Sequence, residues 1–597
     1  MRWCGHPLLG RCCLIAALVL TLPSLSDQWV FDDHVLALNA RGDGEVAGLR
    51  TGPLGELFTF TTGHPDQTRA LMAEGALMPW WSDEHHKNAF LRPLSSLSHR
   101  LDFYLWPHSA FLMHVHSWLW FAVLLLVAQV HYRALNGRTP TIHPLFLSLP
   151  FVIFALDESH GATLSWISNR NALIATACAL HGVTQHHRFC EGQSRRAGWL
   201  GPLWFALGIA GGEMATCMLG YLLAHALLLE QDSYRKRLVR LLPYGLLIAL
   251  WRVAYRVFEL GSHGSDGYHD PLREPLAYTL GLLRNLPILL GAQFSVPYAD
   301  LAFWGPPTAV PWLWSLSLLV LAGSLVLLWP ALRSQRQARY YALGTALSAL
   351  PVCASVPGQR LLLPLSIGAA GLLAHGAATL YRELQARPKA RLPQLALLLI
   401  LAVHIPAAAI ALPFSARSMT WVGGWVDGTA ASLPRAPGTT GQTWVIICTP
   451  FNIMASYLQA QRAHLDQPRP AHLYWLATAS STTTVRRIGP RSVLVESERG
   501  FLYTPQERHY RRNPTPLAAG SPTALVRLPQ LTAEVLASSP DGRPTQVRFE
   551  FPVPLEDSSL AFFTYRNGHY EPWNLQPARF SAADFFDGLA THVATSD

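Results

Sequence analysis

Long apolar runs through the first 412 of the 597 residues constrain this chain more than any other feature. Each run is about 14 to 22 residues long, close to what an α-helix needs to cross the hydrocarbon core of a bilayer. Half of the residues are apolar and only 14% are charged, whereas ordinary globular domains carry about a quarter charged residues. We therefore predict a polytopic α-helical membrane protein whose transmembrane domain occupies residues 1–412.

The runs predict about 11 spanning helices, the first of which ends near Leu25. That segment could be a cleaved signal peptide, with Ser24-Leu-Ser26 as a weak cleavage site, but the acidic pair follows almost at once and favours an uncleaved helix. The segment 278–297 is apolar enough to span, but counting it would place the arginine-rich loop 333–339 outside, against the charge rule. We therefore interpret it as a re-entrant or interfacial helix. The other predicted spans are 110–131, 143–156, 169–186, 198–211, 212–229, 238–257, 312–332, 340–356, 361–380 and 391–412.

The distribution of the basic residues predicts the orientation of the chain in the membrane. The formal net charge is +9, but the basic residues form short clusters in loops between apolar runs instead of one patch. Such clusters are typical of cytoplasmic loops, so they argue against nucleic-acid binding. With Arg2 and Arg11 inside, the N-terminus is cytoplasmic, and the polar segment 27–108 becomes the first extracytoplasmic loop.

The composition changes after Pro413, where stretches rich in β-branched residues appear at 443–447, 491–496 and 545–551. Turn signals separate them, which predicts an extracytoplasmic, mostly β domain over 413–597. Seven of the eight cysteines lie in or beside apolar segments and only Cys448 falls in this tail. No disulfide framework or CxxC metal motif is indicated, and we interpret all eight as small hydrophobic residues.

Asp32 and Asp33 directly follow the first apolar segment. A carboxylate at a membrane face can deprotonate a hydroxyl nucleophile or hold a divalent cation. The same pair could also serve as helix-capping acids, because acids favour helix N-termini. The residues alone leave both roles open.

Several further polar residues fall in segments that the orientation places outside. Lys87 and Arg92 in the first loop suit an anionic phosphate, although the loop could be only a connector. His160 and Arg170 lie in the next external loop, which could equally be solvated with Trp166 as a membrane anchor. Glu213 occupies a turn between two apolar spans, where an ionisable group is a functional candidate or a solvated turn residue. Arg360 begins a late apolar span.

The order of these motifs resembles the GT-C membrane glycosyltransferases, in particular bacterial relatives of the protein O-mannosyltransferases. The resemblance rests on the acidic pair, Arg92-Pro-Leu94, His160 with Trp166-Ile-Ser-Asn-Arg170, the Gly-Glu turn at Glu213 and Arg360-Leu-Leu-Leu-Pro364, and it covers residues 10–412. Two features depart from the family. Asp157-Glu158 stands where relatives often have His-Pro, and the β-type tail lies outside the resemblance.

The resemblance implies a bacterial cytoplasmic-membrane enzyme that transfers a sugar from a polyprenyl-phosphate carrier to an extracytoplasmic glycan, lipid or protein. It makes Asp33 the expected base, with Asp32 supporting. Lys87, Arg92, Arg170 and Arg360 become expected phosphate ligands, and His160 and Glu213 are expected to line the site. No metal ligand is assigned, and a divalent cation is compatible with this chemistry without being required.

Two other classes of function remain open. A transporter or flippase for a lipid-linked glycan would use similar cations and aromatic residues, but should show mid-membrane polar groups and repeat symmetry, which we do not find in the sequence. A catalytically silent membrane scaffold with a binding tail would keep its function when both Asp32 and Asp33 are replaced.

Overall fold

The computed structural model of the chain describes residues 7–136, 146–295 and 298–581. The chain forms two compact units. The first unit comprises Met1–Gln28, Leu91–Phe258 and Asp270–Thr420, and the second comprises Trp29–Phe90, Glu259–His269 and Trp421–Asp597. Arg2 and the end of the tail, 582–597, lie outside the described residues.

The first unit is helical. Numbered along the whole chain, its helices are α1 (Pro7–Leu20), α4 (Pro93–Leu105), α5 (Ala110–Asn136), α6 (Leu149–Leu156), α7 (Ser159–Leu164), α8 (Arg170–Cys190), α9 (Ala197–Gly211), α10 (Met218–Leu228), α11 (Tyr234–Val257), α12 (Pro275–Phe294), α13 (Leu301–Trp304), α14 (Ala309–Ser334), α15 (Arg336–Val352), α16 (Leu363–Ala386), α17 (Arg391–Ala402) and α18 (Ala408–Ser415).

Six helical segments within the described residues are long and apolar enough to cross a membrane: Leu9–Ser26, Ala110–Asn136, Tyr234–Val257, Ala309–Ser334, Gln359–Ala386 and Arg391–Ala431. The protein is therefore of the multi-pass type, but the count of about eleven spans is not confirmed. Two shorter apolar helical segments, Ala197–Gly211 and Glu213–Leu228, coincide with predicted spans. The described part of the predicted span 143–156, which begins at residue 146, contains the eight-residue helix α6. The described part of the segment 278–297, which ends at residue 295, lies largely within α12.

Helix α16 is the central helix of the first unit, because the whole apolar window of Gln359–Ala386 is buried. Helix α8 is also buried along most of its length, packed against α5 and α9. The α8–α9 contact depends on small residues: a Cβ added at Gly208 would lie 2.8 Å from the Cβ of Ala179. Without that Cβ the two backbones approach closely, as is common where helices pack in lipid.

The second unit contains every strand of the described residues. Its helices are α2 (Asp32–Arg41), α3 (Pro65–Glu74), most of α19 (Ser418–Ala431), α20 (Asn452–Ser456), α21 (Leu458–His464) and α22 (Pro505–Arg508). Its strands are β1 (Thr59–Thr62), β2 (Lys87–Ala89), β3 (Gly261–His263), β4 (Thr443–Thr449), β5 (His472–Thr478), β6 (Thr483–Arg487), β7 (Ser492–Ser497), β8 (Leu525–Leu528), β9 (Leu531–Ser538), β10 (Pro544–Glu550), β11 (Leu560–Arg566), β12 (His569–Pro572) and β13 (Ala578–Phe580).

These strands form three sheets. A six-stranded sheet has the order β13-β6-β7-β10-β9-β8, a four-stranded sheet has the order β12-β11-β4-β5, and a small sheet has the order β1-β2-β3. In the four-stranded sheet β4 pairs in parallel with both β5 and β11. Strand β4 is buried at every position, as expected for a parallel strand covered on both faces.

The prediction of a β-rich C-terminal region is confirmed. The stretches predicted at 443–447, 491–496 and 545–551 are found in β4, β7 and β10. The compact unit that holds them also includes 29–90 and 259–269. The strand pairing Lys87↔His263 joins these two earlier segments.

Candidate functional site

Arg92 and Glu213 form an ion pair in the first unit. The Arg92 Nε donates to Glu213 Oε2 at 2.8 Å, and both side chains are partly buried, at 16% and 28% exposed. The Tyr255 hydroxyl donates to Glu213 Oε1 and accepts the Leu91 N–H at 3.1 Å. Glu213 is therefore neither a solvated turn residue nor an isolated acid, since it links the start of α4 to α11.

Helix ends place this pair. Arg92 directly precedes Pro93, the first residue of α4, and Glu213 opens a short 3₁₀ turn after α9. The Ser95 hydroxyl donates to the Gly211 carbonyl at 2.6 Å and holds the two ends together. Because its carboxylate partner is only partly buried, Arg92 could exchange that partner for an incoming phosphate.

Arg170, by contrast, is fully enclosed. Its side chain and that of Asp102 are both 0% exposed, and Nη1 donates to Asp102 Oδ2. The Nε donates to Ser117 Oγ at 2.9 Å and Nη2 donates to the Met113 carbonyl at 2.7 Å. A buried pair so fully hydrogen-bonded holds α4, α5 and α8 together. Its charge is already neutralised, so Arg170 does not present itself as a phosphate ligand.

His160 is enclosed as well. It is fully buried between Phe121 and Phe154, with ring centroids 5.7 and 4.6 Å away. Its Nε2 lies 3.2 Å from Ser366 Oγ on α16. The Nδ1 is buried without a hydrogen-bond partner in the described part of the chain. His160 is therefore surrounded like a core histidine that has one nitrogen without a hydrogen-bond partner among the described residues.

Arg360 has a third kind of environment. It is half-buried in the 3₁₀ turn Gln359–Leu362 that leads into α16. Its guanidinium lies 5.3 Å from the Trp166 ring centroid, and Nη1 lies 3.5 Å from Asn169 Oδ1. Within the described residues no carboxylate lies within ion-pairing distance of it. The Asp300 carboxylate interacts with it electrostatically from beyond that distance, so no described carboxylate occupies the hydrogen-bonding positions of the guanidinium.

An apolar crevice opens further along the same helix. Residues of α12, α14, α16 and α17 line a cavity of about 210 Å³. Its walls include Leu327, Leu373, Leu399 and Ile400, and His404 is its only titratable lining residue. Leu373 lies ten residues beyond the start of α16, which corresponds to about 15 Å along a helix.

The two predicted acids lie in the second unit, in the first turn of α2. Asp33 is 1% exposed, and its Oδ2 accepts the Val30 N–H at 3.0 Å. Asp32 is half-buried and accepts a hydrogen bond from the Tyr457 hydroxyl. Neither acid is the N-cap residue of α2, which is Phe31.

The backbone before the acids is strained. Phe31 has φ 49° and ψ −111°, which is unusual for a bulky residue, and such strain concentrates at functional sites. The Phe31 ring packs on Tyr457 with centroids 5.5 Å apart. Burial, followed by the Asp32 carboxylate, raises the pKa of Tyr457 well above its ordinary value. The phenol therefore stays protonated and remains a donor to Asp32. A cation at the acid pair would compete with these donors.

Lys87 lies in the central strand of the small sheet, opposite Thr62 on one side and His263 on the other. It is half-buried, and its side chain runs over Gly63, where an added Cβ would meet the Lys87 Cε at 2.8 Å. The first loop therefore places Lys87 on a folded sheet and not in a solvated connector.

Histidines next to these residues are held neutral. Burial, and then the neighbouring His464 ring, keeps the pKa of His34 well below its ordinary value. The two imidazoles meet Nδ1 to Nδ1 at 2.8 Å. Burial also lowers the pKa of His86 to about 4. His34 thus adds no positive charge beside Asp33, and His86 adds none beside Lys87.

Two residues of these networks did not stand out in the sequence. Asp102 is the buried partner of Arg170, and it lies near the end of the polar segment 27–108, where nothing in the local sequence marks it as buried. Tyr255 bridges Glu213 to the backbone of Leu91, and nothing in its local sequence marks that role.

No protein-family model matches the chain, and no curated protein matches it. Among solved structures it is similar to the archaeal oligosaccharyltransferase AglB from Archaeoglobus fulgidus in complex with an inhibitory peptide and a dolichol-phosphate. The identity is 9% and the TM-score 0.44, over 78% of this chain and 64% of that one.

It is also similar to the Archaeoglobus fulgidus oligosaccharyltransferase tethered through a disulfide bond to an acceptor peptide containing the NVT sequon. Here the identity is 10% and the TM-score 0.42, with 78% of this chain and 64% of that chain covered. The chain thus spans less than two thirds of the length of either structure. Likeness at this level assigns no activity.

Proposed function

We propose that the protein is a membrane glycosyltransferase that takes a sugar from a polyprenyl-phosphate carrier and transfers it to an extracytoplasmic acceptor. The observation that carries the proposal is the pairing of two features on one helix. Arg360, which has no carboxylate within ion-pairing distance among the described residues, precedes α16, and an apolar crevice lies halfway along that helix. A lipid phosphate has the same two parts, an anionic head and an apolar tail.

The proposed phosphate site consists of the Arg360 guanidinium and the N-terminus of α16. Arginine binds phosphate through two parallel N–H groups, and stacking on Trp166 fixes the plane of the Arg360 guanidinium. The N-terminus of α16 adds the partial positive charge of its backbone N–H groups. Charge that develops on the departing lipid phosphate would be stabilised there.

Arg92 is the second phosphate ligand of the proposal. Its ion pair with Glu213 is partly open to solvent, so an incoming phosphate could share the guanidinium. Arg170 and His160 instead hold the helices in place from within the core, and Lys87 keeps its role as a predicted ligand.

Asp33 is the proposed base, with Asp32 as its support. A buried carboxylate beside a strained backbone suits removal of a proton from an acceptor hydroxyl. Tyr457 holds Asp32 in a fixed orientation by its hydrogen bond. The acceptor is a hydroxyl group of a glycan, a lipid or a protein.

The experiment is release of polyprenyl phosphate by the purified full-length protein in nanodiscs, with synthetic polyprenyl-phosphate sugars and a panel of acceptors. Asp33→Asn should lower the release by about 10² or more, the usual effect of losing a general base. Asp43→Asn, an exposed acid in the same loop, is the matched control. Undiminished release by Asp33→Asn removes the acid from the mechanism, and donor translocation without release indicates a flippase.

A further inference from the structure

Four potential metal ligands meet at the ends of α8 and α10. His186 and Cys190 are four residues apart on α8, His225 lies in the last turn of α10, and Glu230 follows two residues after that helix. One donor atom from each lies within 4.8 Å of the others. None of the four belongs to the proposed transfer site.

Three of the six distances between donor atoms match those around a tetrahedral ion, and all six are within 4.8 Å. His186 Nε2 and His225 Nδ1 each lie 3.4 Å from Glu230 Oε1. Cys190 Sγ lies 3.5 Å from His186 Nε2. Zinc bonds of 2.0 to 2.3 Å at tetrahedral angles place neighbouring donors about 3.3 to 3.6 Å apart.

For a neutral His187, the hydrogen bonds around the cluster set the tautomer of His225. His187 Nε2 lies 3.2 Å from the Ala134 carbonyl, which can only accept, so this nitrogen carries the proton. The other nitrogen of a neutral His187 then accepts from His225 Nε2 at 3.0 Å. That leaves the His225 Nδ1 lone pair aimed at the cluster.

A neutral His225 therefore points a lone pair at the oxygen of a carboxylate. His186 places its Nε2 near the same oxygen. A lone pair that faces a buried carboxylate oxygen is repelled by it unless a proton or a metal cation lies between the two atoms. A proton can satisfy one nitrogen, whereas one metal ion can bind both nitrogens, the carboxylate oxygen and the Cys190 sulfur.

The groups behind the ligands are arranged as they are in metal sites. Arg240 Nη1 donates to Glu230 Oε2 at 2.8 Å and leaves Oε1 facing the histidines. His187 orients His225 from behind. Such outer partners orient metal ligands and tune their affinity. The Glu230 side chain is 2% exposed, and His186 and His225 are also buried.

We propose that His186, Cys190, His225 and Glu230 bind one Zn²⁺ ion that joins the end of α8 to the segment after α10. Two nitrogens, one sulfur and one oxygen form a donor set that zinc accepts in four-coordinate sites. All four positions come from the protein, which is typical of a structural site. Binding releases the thiol proton of Cys190, because the thiolate is the ligand.

The test is the metal content of the full-length protein, purified in detergent and reconstituted with zinc. We expect one zinc per chain for the wild type and more than about 100-fold weaker binding for Cys190→Ser and for His225→Gln, since losing even an outer partner costs 10 to 100-fold. Cys178→Ser is the control, because Cys178 is a buried cysteine on the same helix.

Cobalt gives a second measurement that does not depend on stability. Co²⁺ in the wild type should show a sulfur-to-metal charge-transfer band that is absent in Cys190→Ser and unchanged in Cys178→Ser. A wild type that takes up no zinc, or a cobalt spectrum that Cys190→Ser leaves unchanged, would overturn the proposal. The cluster would then be a metal-free ion pair of Glu230 with Arg240 and a protonated histidine.

Discussion

Arg170 and Arg360 have the same predicted role and opposite surroundings. Arg170 begins α8 with its guanidinium fully buried against Asp102. Arg360 precedes α16 with its guanidinium half-exposed over Trp166. Arg92 lies between these extremes, paired with a partly exposed Glu213. The comparison teaches that a basic residue at a helix start serves structure or ligand binding according to whether a carboxylate already neutralises it.

The largest effect on stability is expected at the buried pair. Arg170→Ala removes the arginine from the buried Asp102 carboxylate and leaves only the imidazole of His116 beside it, at 2.7 Å, which should cost about 3 kcal/mol of the free energy of unfolding. The measurement is the melting temperature of the full-length protein in nanodiscs. The double variant Arg170→Met with Asp102→Leu should lose much less, because it removes both charges. A stable Arg170→Ala protein that lacks only turnover would instead make Arg170 a substrate ligand.

An intermediate effect is expected at the half-buried pair. Glu213→Gln keeps the shape of the side chain but removes the charge opposite Arg92, which should cost about 1 to 2 kcal/mol. Thermal melting in the same nanodiscs measures it, with Glu259→Gln as an exposed control. A loss as large as that of Arg170→Ala would show that the pair is structural and not exchangeable with phosphate.

The smallest effect on stability is expected at Arg360, which is half-exposed. Arg360→Ala loses a stacking contact with Trp166 that is worth about 0.5 to 1 kcal/mol at an exposed site. Its melting temperature should stay close to that of the wild type. Marked destabilisation by Arg360→Ala would show that Arg360, like Arg170, stabilises the fold, and would contradict the proposed difference between the two arginines.

Much of the architecture could be predicted from local sequence. Long apolar runs indicated a multi-pass protein, and β-branched stretches indicated β4, β7 and β10, because helix length and strand composition are local properties. The number of spans was harder to predict from the sequence. Short helices such as α6 and α7 are buried because neighbouring helices pack around them, and their own length and composition do not show this.

The environments of the candidate residues could not be predicted. Arg170 finds Asp102 across 68 positions and Glu213 finds Arg92 across 121, and neither pairing leaves a local pattern. The same holds for the pairing of Lys87 with His263. The sequence shows which side chains carry a charge. The tertiary structure determines which of these charges are paired inside the protein and which can contact a ligand.

Polyprenyl phosphate release by Arg360→Ala tests the central claim most directly. The matched control is Arg382→Ala, which removes an arginine near the other end of α16. We expect Arg360→Ala to lower the rate by about 10² to 10³, as when one charge-stabilising donor is lost. Its melting temperature and that of the control should stay near the wild-type value. Release at the wild-type rate by Arg360→Ala would contradict the proposed phosphate site.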